Sequence, residues 1–241
     1  MDDFSHPKFR RVDRRQALSR IGAAGALAML PFDISNAVDA QPSLSCVATP
    51  AQTEGPYFVE ERLNRADIRS DPATGAVKEG VPLKLRLVAH AVAGGACTPL
   101  AGAIVDVWHC DARGVYSDVS DPRFKTSGQR FLRGYQTTGA DGSVDFITIY
   151  PGWYQGRTAH IHFKLRGRNP AGRGYEFTSQ LYFDEATSDD IYARAPYKGT
   201  GRRTHNGDDF IYRDGGKALT LALAPDGAGY AARFDIGLRM A

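Results

Sequence analysis

His160 and His162 lie two residues apart in the stretch RTAHIHFKLRG, residues 157 to 167. Read as a strand, the stretch puts Ala159, Ile161, Phe163 and Leu165 on one side and His160, His162, Lys164 and Arg166 on the other. Two imidazoles on one strand face, about 7 Å apart at about 3.3 Å per residue, are either half of a metal site or polar groups on the wet side of a sheet. The residues just upstream favour the metal. Pro151 and Gly152 break the preceding run, Trp153 and Tyr154 follow, and Tyr154 is six residues from His160. A loop that short returns the chain close to its starting point, which brings a phenol oxygen within reach of any ion the two imidazoles hold. Imidazole serves copper, zinc and iron alike, so the pair by itself does not choose the ion. The free phenol titrates near about pH 10, so only a strong Lewis acid keeps it ionised at neutral pH.

Of the other histidines, His6 belongs to the N-terminal leader, His90 lies in a strand before a Gly-rich turn, and His205 sits in the polar loop GRRTHNGDD. The last two read as structural and surface residues. His109 ends a strand in which Val105 and Val107 share its face, so it either points toward the metal or caps the sheet. It also opens His109-Cys110-Asp111, an H-x-D of the kind that begins the 2-His-1-carboxylate triad of non-haem Fe(II) oxygenases, with His160 or His162 as third ligand. The three cysteines, Cys46, Cys97 and Cys110, allow one internal pair and leave one thiol over. No C-x-x-C is present, which removes a cysteine-based zinc site.

The elements that must position these groups read as strands. VPLKLRLVAHAV, GAIVDVWHC, RFLRGYQTT, SVDFITIY, TAHIHFKL, FTSQLYFD, KALTLALA and AARFDIGL are short β-rich runs bounded by Gly, Pro, Asn and Asp. Asp141-Gly142 carries a hairpin signature between two such runs, and TSDDIYARA reads as a short helix. Short strands without helical crossovers predict an all-β sandwich with long loops and little helix. The length of 241 residues, 42% of them hydrophobic, suits one globular domain. A net charge of only +3, with no basic stripe interleaved with aromatics, argues against nucleic acid as a partner.

Residues 1–40 read as an address. A basic stretch containing Arg14 and Arg15 runs into a mild apolar run from Ile21 to Phe32 and then into SNAVDA, where Val38 and Ala40 fit a small-residue cleavage rule. The pattern is that of a twin-arginine export signal cleaved after Ala40, which predicts a periplasmic or extracellular product. The apolar run is shorter than the roughly 20 residues a bilayer span needs, so no membrane span is expected.

Several motifs, taken together and in order, resemble the intradiol ring-cleavage dioxygenases: TPAQTEGPYF, PLAGAIVDVWHCDARGVYS, TTGADGSVDFITIYPGWY, RTAHIHF and TSQLYFDE. The likeness covers most of residues 41–241 and is nearest to the exported bacterial branch, which lacks a helical N-terminal dimerisation segment. It implies a catalytic β-sandwich of prealbumin-like topology and one non-haem Fe(III) per chain. It further implies Tyr116 of ARGVYS, Tyr154 of PGWY, and His160 and His162 of AHIH as the iron ligands. Arg157 and Gln180 fall on groups that assist the reaction and contact substrate, and Tyr57 of EGPYF on the pocket wall; His109 and Cys110 depart from the glutamine and alanine common there, and His109 stands as a candidate substrate contact. The implied activity cleaves a catechol-type ring between its two hydroxylated carbons with O2, to a cis,cis-muconate-type diacid, and a homodimer is among the assemblies open to the chain. The loop from Tyr154 to His160 is shorter than is usual in the family, which predicts a wider, more exposed substrate site. The competing readings are the Fe(II) oxygenase built on His109 and Asp111, and an exported β-sandwich that only binds.

Overall fold

A computed structural model describes residues 47–169, 171–197 and 202–240. The proposed leader, residues 1–40, and Cys46 lie outside the described residues. In chain order the elements are β1 (Pro82–Ala93), β2 (Ala96–Pro99), β3 (Ile104–Trp108), β4 (Ser120–Asp121), β5 (Phe124–Lys125), β6 (Arg133–Thr137), β7 (Ser143–Ile149), β8 (His160–Arg168), β9 (Gly174–Tyr182), α1 (Glu185–Tyr192), α2 (Phe210–Arg213), β10 (Ala224–Asp226) and β11 (Gly229–Arg239). One sheet runs β6-β3-β8-β9; the other runs β10-β11-β1-β2, with β7 also paired to β1. β1 and β11 are parallel, and the remaining ladders are antiparallel. No described helix is long and apolar enough to cross a membrane.

The two sheets meet through alternate residues. Leu83, Leu85 and Leu87 of β1, Val144 and Phe146 of β7, and Ala232, Phe234 and Ile236 of β11 face Val105 and Val107 of β3 and Ile161, Phe163 and Leu165 of β8. Each fully buried side chain of this size stabilises by about 1.5–3 kcal/mol. A one-residue slip of β8 would turn His160 and His162 into this interior, so the core fixes which face they occupy.

Two strand expectations need correction. KALTLALA is not a strand: Gly216–Leu219 forms a 3₁₀ turn and β10 begins only at Ala224. Its apolar residues serve burial instead, with Leu219 and Leu221 at 0% and 3% exposure, which shows how an apolar run reports inside rather than strand. The Asp141-Gly142 turn forms, but it joins β6 to β7 across the two sheets rather than closing a hairpin. Gly142 has φ +77° and packs its α-carbon so near the Ala89 carbonyl that a Cβ would lie 2.4 Å from that oxygen. Missed in sequence were β2 and the β4–β5 hairpin, both too short to show a period. The short helix is present as α1, capped at its start by the Asp184 side chain accepting from Thr187 N–H. Cys97 is disulfide-bonded, and Cys110 is a free, buried thiol.

Candidate metal centre

The outer face of the β6-β3-β8-β9 sheet carries the site. Register sets His160 opposite Tyr182 and His162 opposite Gln180 on β9, while Trp108 of β3 lies opposite His162 on the other side. The indole of Trp108 stacks on the His162 ring, with centroids 4.9 Å apart and planes 8° from parallel. The segment 53–58 covers this face: Gln180 Nε2 donates to the Thr53 carbonyl, and Phe58 packs edge-on against Trp108 at 4.9 Å. The imidazoles therefore lie not on a wet surface but at 1% and 2% exposure.

Two turns deliver the phenols. Asp111 organises the first, its Oδ1 accepting from the N–H groups of Arg113 and Val115, and Gly114 at φ +79° lets the chain reverse into Tyr116. In the second, Arg157 N–H donates to the Tyr154 carbonyl at 3.0 Å, which closes the short loop as its length predicts. Tyr116 and Tyr154 then aim at the same atom: their hydroxyls lie 3.2 and 3.4 Å from His160 Nε2. The His160 ring is oriented from behind, since Nδ1–H donates to the Thr158 carbonyl at 2.6 Å and leaves Nε2 with its lone pair toward the phenols. His162 is 4.8 Å away by ring centroid, and its Nδ1 is buried with no hydrogen-bond partner.

Burial first, then the neighbouring Arg157 cation, lowers the His160 pKa to about 3. Burial and then His160 hold His162 well below its ordinary value. Both imidazoles are thus neutral, the form that binds a metal. Burial pushes the Tyr154 phenol up to about 12 and Tyr116 well above its usual value, so neither ionises alone near neutrality.

This donor set fits a ferric ion. Two phenol oxygens gathered on one neutral imidazole nitrogen, with a second neutral imidazole on the same strand face, are the hard oxygen and nitrogen donors that such an ion would take. A trivalent ion would supply the positive charge that two phenolates need, and His162, on the same strand face as His160, would offer it a second imidazole.

Arg157 and Gln180 join the same cluster. Arg157 Nη1 lies 3.5 Å from His160 Nε2, Nη2 donates to Gln180 Oε1 at 2.5 Å, and Nε donates to Asp209 Oδ2 at 2.9 Å. Tyr57 stacks on Tyr116 with centroids 4.5 Å apart, and its hydroxyl donates to Asp121 and accepts from Arg123. Its ring centroid is 6.3 Å from that of Tyr154. Beside Tyr154 opens a cleft of about 840 Å³, bordered by Arg113, Arg123, Phe124 and Trp153.

The structure does not bring His109 to this cluster. Val105, Val107 and His109 share the face between the sheets, so His109 points inward, where its ring nitrogens meet Thr148 Oγ1 of β7 at 2.6 Å and the Cys110 carbonyl at 2.8 Å. Burial lowers its pKa to about 4. It ties the sheets together and is not a substrate contact. Asp111 is committed too, its Oδ2 paired with Lys78 Nζ at 2.9 Å, so neither residue is free to complete a 2-His-1-carboxylate site. His205 is less plain than a surface residue: with Glu185 and Asp189 it forms a ligand-like cluster, but the Arg203 guanidinium occupies it, bonding Asp189, His205 and Glu185. His90 pairs with Asp235 at 3.3 Å.

Sequence reasoning missed Asp209 and Tyr182. Asp209, fully buried, accepts from Arg157 Nε and Thr158 N–H and caps α2 through Ile211 and Tyr212. Tyr182 donates to Gln52 and Gln180. No local pattern marks Asp209, which lies far along the chain from Arg157. Trp108 was missed as well, although its alternation with Val105 and Val107 turns it to the histidine side.

Residues 53–204 match the family described as Dioxygenase, and the chain belongs to the intradiol ring-cleavage dioxygenase family. An intradiol ring-cleavage dioxygenase of Tetranychus urticae is 32% identical, with a TM-score of 0.69 over 80% of this chain and 95% of that one. The dioxygenase domain of a dioxygenase carbohydrate-binding protein fusion from Streptomyces sp. SirexAA-E is 31% identical, with a TM-score of 0.59 over 81% of this chain and 100% of that one. In sequence, catechol 1,2-dioxygenase 1 of Acinetobacter lwoffii is 32% identical over 48% of this chain and 41% of its own length. Chlorocatechol 1,2-dioxygenase of Rhodococcus opacus is 28% identical over 56% of each. The chain thus spans about half the length of these two relatives.

Proposed function

We propose that the chain binds one ferric ion through Tyr116, Tyr154, His160 and His162 and cleaves a catechol-type ring between its hydroxylated carbons, adding both atoms of O2 to give a cis,cis-muconate-type diacid. The observation that carries this reading is the convergence of two phenol hydroxyls on His160 Nε2, at 3.2 and 3.4 Å. When bound, ferric iron draws electron density from a chelated diol and makes the ring carbon reactive toward O2.

The chain's own groups supply the rest. Tyr154 is the phenol nearer the cleft, so its Oη is the one that would take the substrate's proton. Tyr116 is fully buried and stacked under Tyr57. The Arg157 guanidinium, held between Asp209 and Gln180, presents Nη1 beside His160 and stabilises negative charge as it develops on the ring. His160 keeps its orientation through the Thr158 carbonyl.

The names of the relatives, catechol and chlorocatechol 1,2-dioxygenases, support a catechol as substrate. The cleft that opens beside Tyr154 offers room for a catechol ring next to that phenol. Export through the leader before use accords with an aromatic substrate met outside the cytoplasm. The test is iron content and visible absorption of the purified protein, followed by oxygen uptake with catechol, 4-chlorocatechol, hydroxyquinol and protocatechuate and mass analysis of the products. A colourless protein without iron, or products cleaved outside the diol, would refute the proposal.

A further inference from the structure

Beside Trp108, whose indole stacks on His162, lies a cavity of about 10 Å³, bordered by Glu61, Trp108 and Arg133 among others. Each of these three side chains has one buried polar atom without a hydrogen-bond partner: Glu61 Oε1, Trp108 Nε1 and Arg133 Nη1. Bulk water does not reach them, for the side chain of Glu61 is 8% exposed and Trp108 and Arg133 are each 2% exposed. An unpaired buried donor or acceptor costs about 1–3 kcal/mol, and more when charged. Three around one small space call for a shared partner.

The chemistry of the three narrows that partner. The indole N–H and guanidinium N–H only donate, while Glu61, whose pKa burial and the facing Asp118 carboxyl raise, presents Oε1 as an acceptor. Chloride would be repelled by Glu61, and a metal cation would face two N–H donors. A neutral molecule that accepts twice and donates once satisfies all three, and about 10–15 Å³ suffices for a single water.

The position of this space is what gives it a role. Trp108 and Arg133 are direct partners across β3 and β6. Trp108 backs His162, while Arg133 donates through Nε to Ser117 Oγ at 2.9 Å and through Nη2 to the Ser117 carbonyl at 2.6 Å, next in the chain to Tyr116. Glu61 is anchored by its other oxygen to Arg130 Nε at 3.1 Å. We propose that the cavity is a built hydration site, in which one water accepts from Trp108 Nε1 and Arg133 Nη1, donates to Glu61 Oε1, and braces His162 and Tyr116 against each other. The bracing rests on the proposed ligand set; the hydration site does not. Trp108 and Arg133 are positioning residues here, since neither reaches the reacting atoms.

A crystal structure of the iron-loaded protein at better than about 1.8 Å tests the first half, with density expected at about 2.7–3.2 Å from all three atoms. An empty cavity, or the three groups bonded directly to one another, would overturn it. Trp108→Phe tests the second half, because it keeps an aromatic face on His162 and removes only the N–H. Loss of a group that supports a ligand weakens metal affinity by about 10–100-fold, so iron should leave to a chelator at least about tenfold faster, with a shifted visible band. Release at the wild-type rate with an unshifted band refutes the bracing, whatever happens to thermal stability. A wild-type protein that holds no iron refutes the ligand set and the bracing with it, while the density still decides the hydration site.

Discussion

Asp209→Ala probes how Arg157 is held. Asp209 is fully buried and the Arg157 side chain is 11% exposed, with 2.9 Å between Nε and Oδ2. Removing one member of such a pair strands a buried cation and costs about 3–5 kcal/mol. The same carboxylate accepts from Ile211 and Tyr212 N–H at the start of α2, and losing that cap adds about 0.5–2 kcal/mol. The sum, about 3.5–7 kcal/mol, lowers the melting temperature by at least about 7 °C, at about 2–4 °C per kcal/mol for a domain of this size. Burial works against the Asp209 carboxylate, but Arg157 and the Thr158 and Ile211 N–H groups outweigh it and hold its pKa below the ordinary value. The contribution of the pair is therefore complete above the unfolded value of about 3.9 and fades as pH falls through the lower native value. Asp209→Asn, which retains an oxygen for α2, should melt between wild type and Asp209→Ala and lose this part of the acid dependence. Calorimetric melts of the three proteins from pH 3 to 7 measure both effects. A fall of less than about 3 °C for Asp209→Ala, or an unchanged acid limb for Asp209→Asn, would refute the assignment of Asp209 as the group that holds Arg157.

Tyr154→Phe should leave the Tyr116 phenolate alone to colour the iron-loaded protein, so that the visible band shifts and weakens, and should drop oxygen uptake by at least about 100-fold, the scale expected for a lost acid–base group; an unchanged band would remove Tyr154 from the ligand set. His109→Ala should cost about 2–4 kcal/mol by leaving Thr148 unpaired and opening a cavity between the sheets, while iron per folded chain stays unchanged; chemical denaturation and metal analysis check the two halves. Gly114→Ala should lower both stability and iron content, because at φ +79° a Cβ would lie 2.3 Å from the Trp153 carbonyl oxygen and the turn that delivers Tyr116 must shift. Cys110, buried and with its thiol pushed up by burial, should resist thiol reagents until the protein unfolds; rapid labelling of the native protein would contradict its place beneath the site.

The alternation in RTAHIHFKL determined, before any fold was known, that one face of β8 would be buried and that His160 and His162 would share the other. The spacing from Tyr154 to His160 likewise determined that a phenol would return to those rings, because a six-residue separation leaves the chain little choice. What tertiary structure decided is everything that depends on long separations. Alternation set the face of His109 but not whether that face looked at the metal or at the other sheet; Thr148 of β7, across the sandwich, settled it. Asp141-Gly142 has the same local chemistry in a hairpin and in a corner between sheets, and only the pairing of β7 with β1 separates the two. The apolar run KALTLALA encodes burial without encoding a ladder partner. Asp209 reaches Arg157 and the Thr53 carbonyl reaches Gln180 only after the sheets have packed. Side-chain direction and turn closure are local, set by covalent geometry within a few residues. Partnership between distant groups is a property of the packed sandwich, and the support of the candidate centre is made almost entirely of such partnerships.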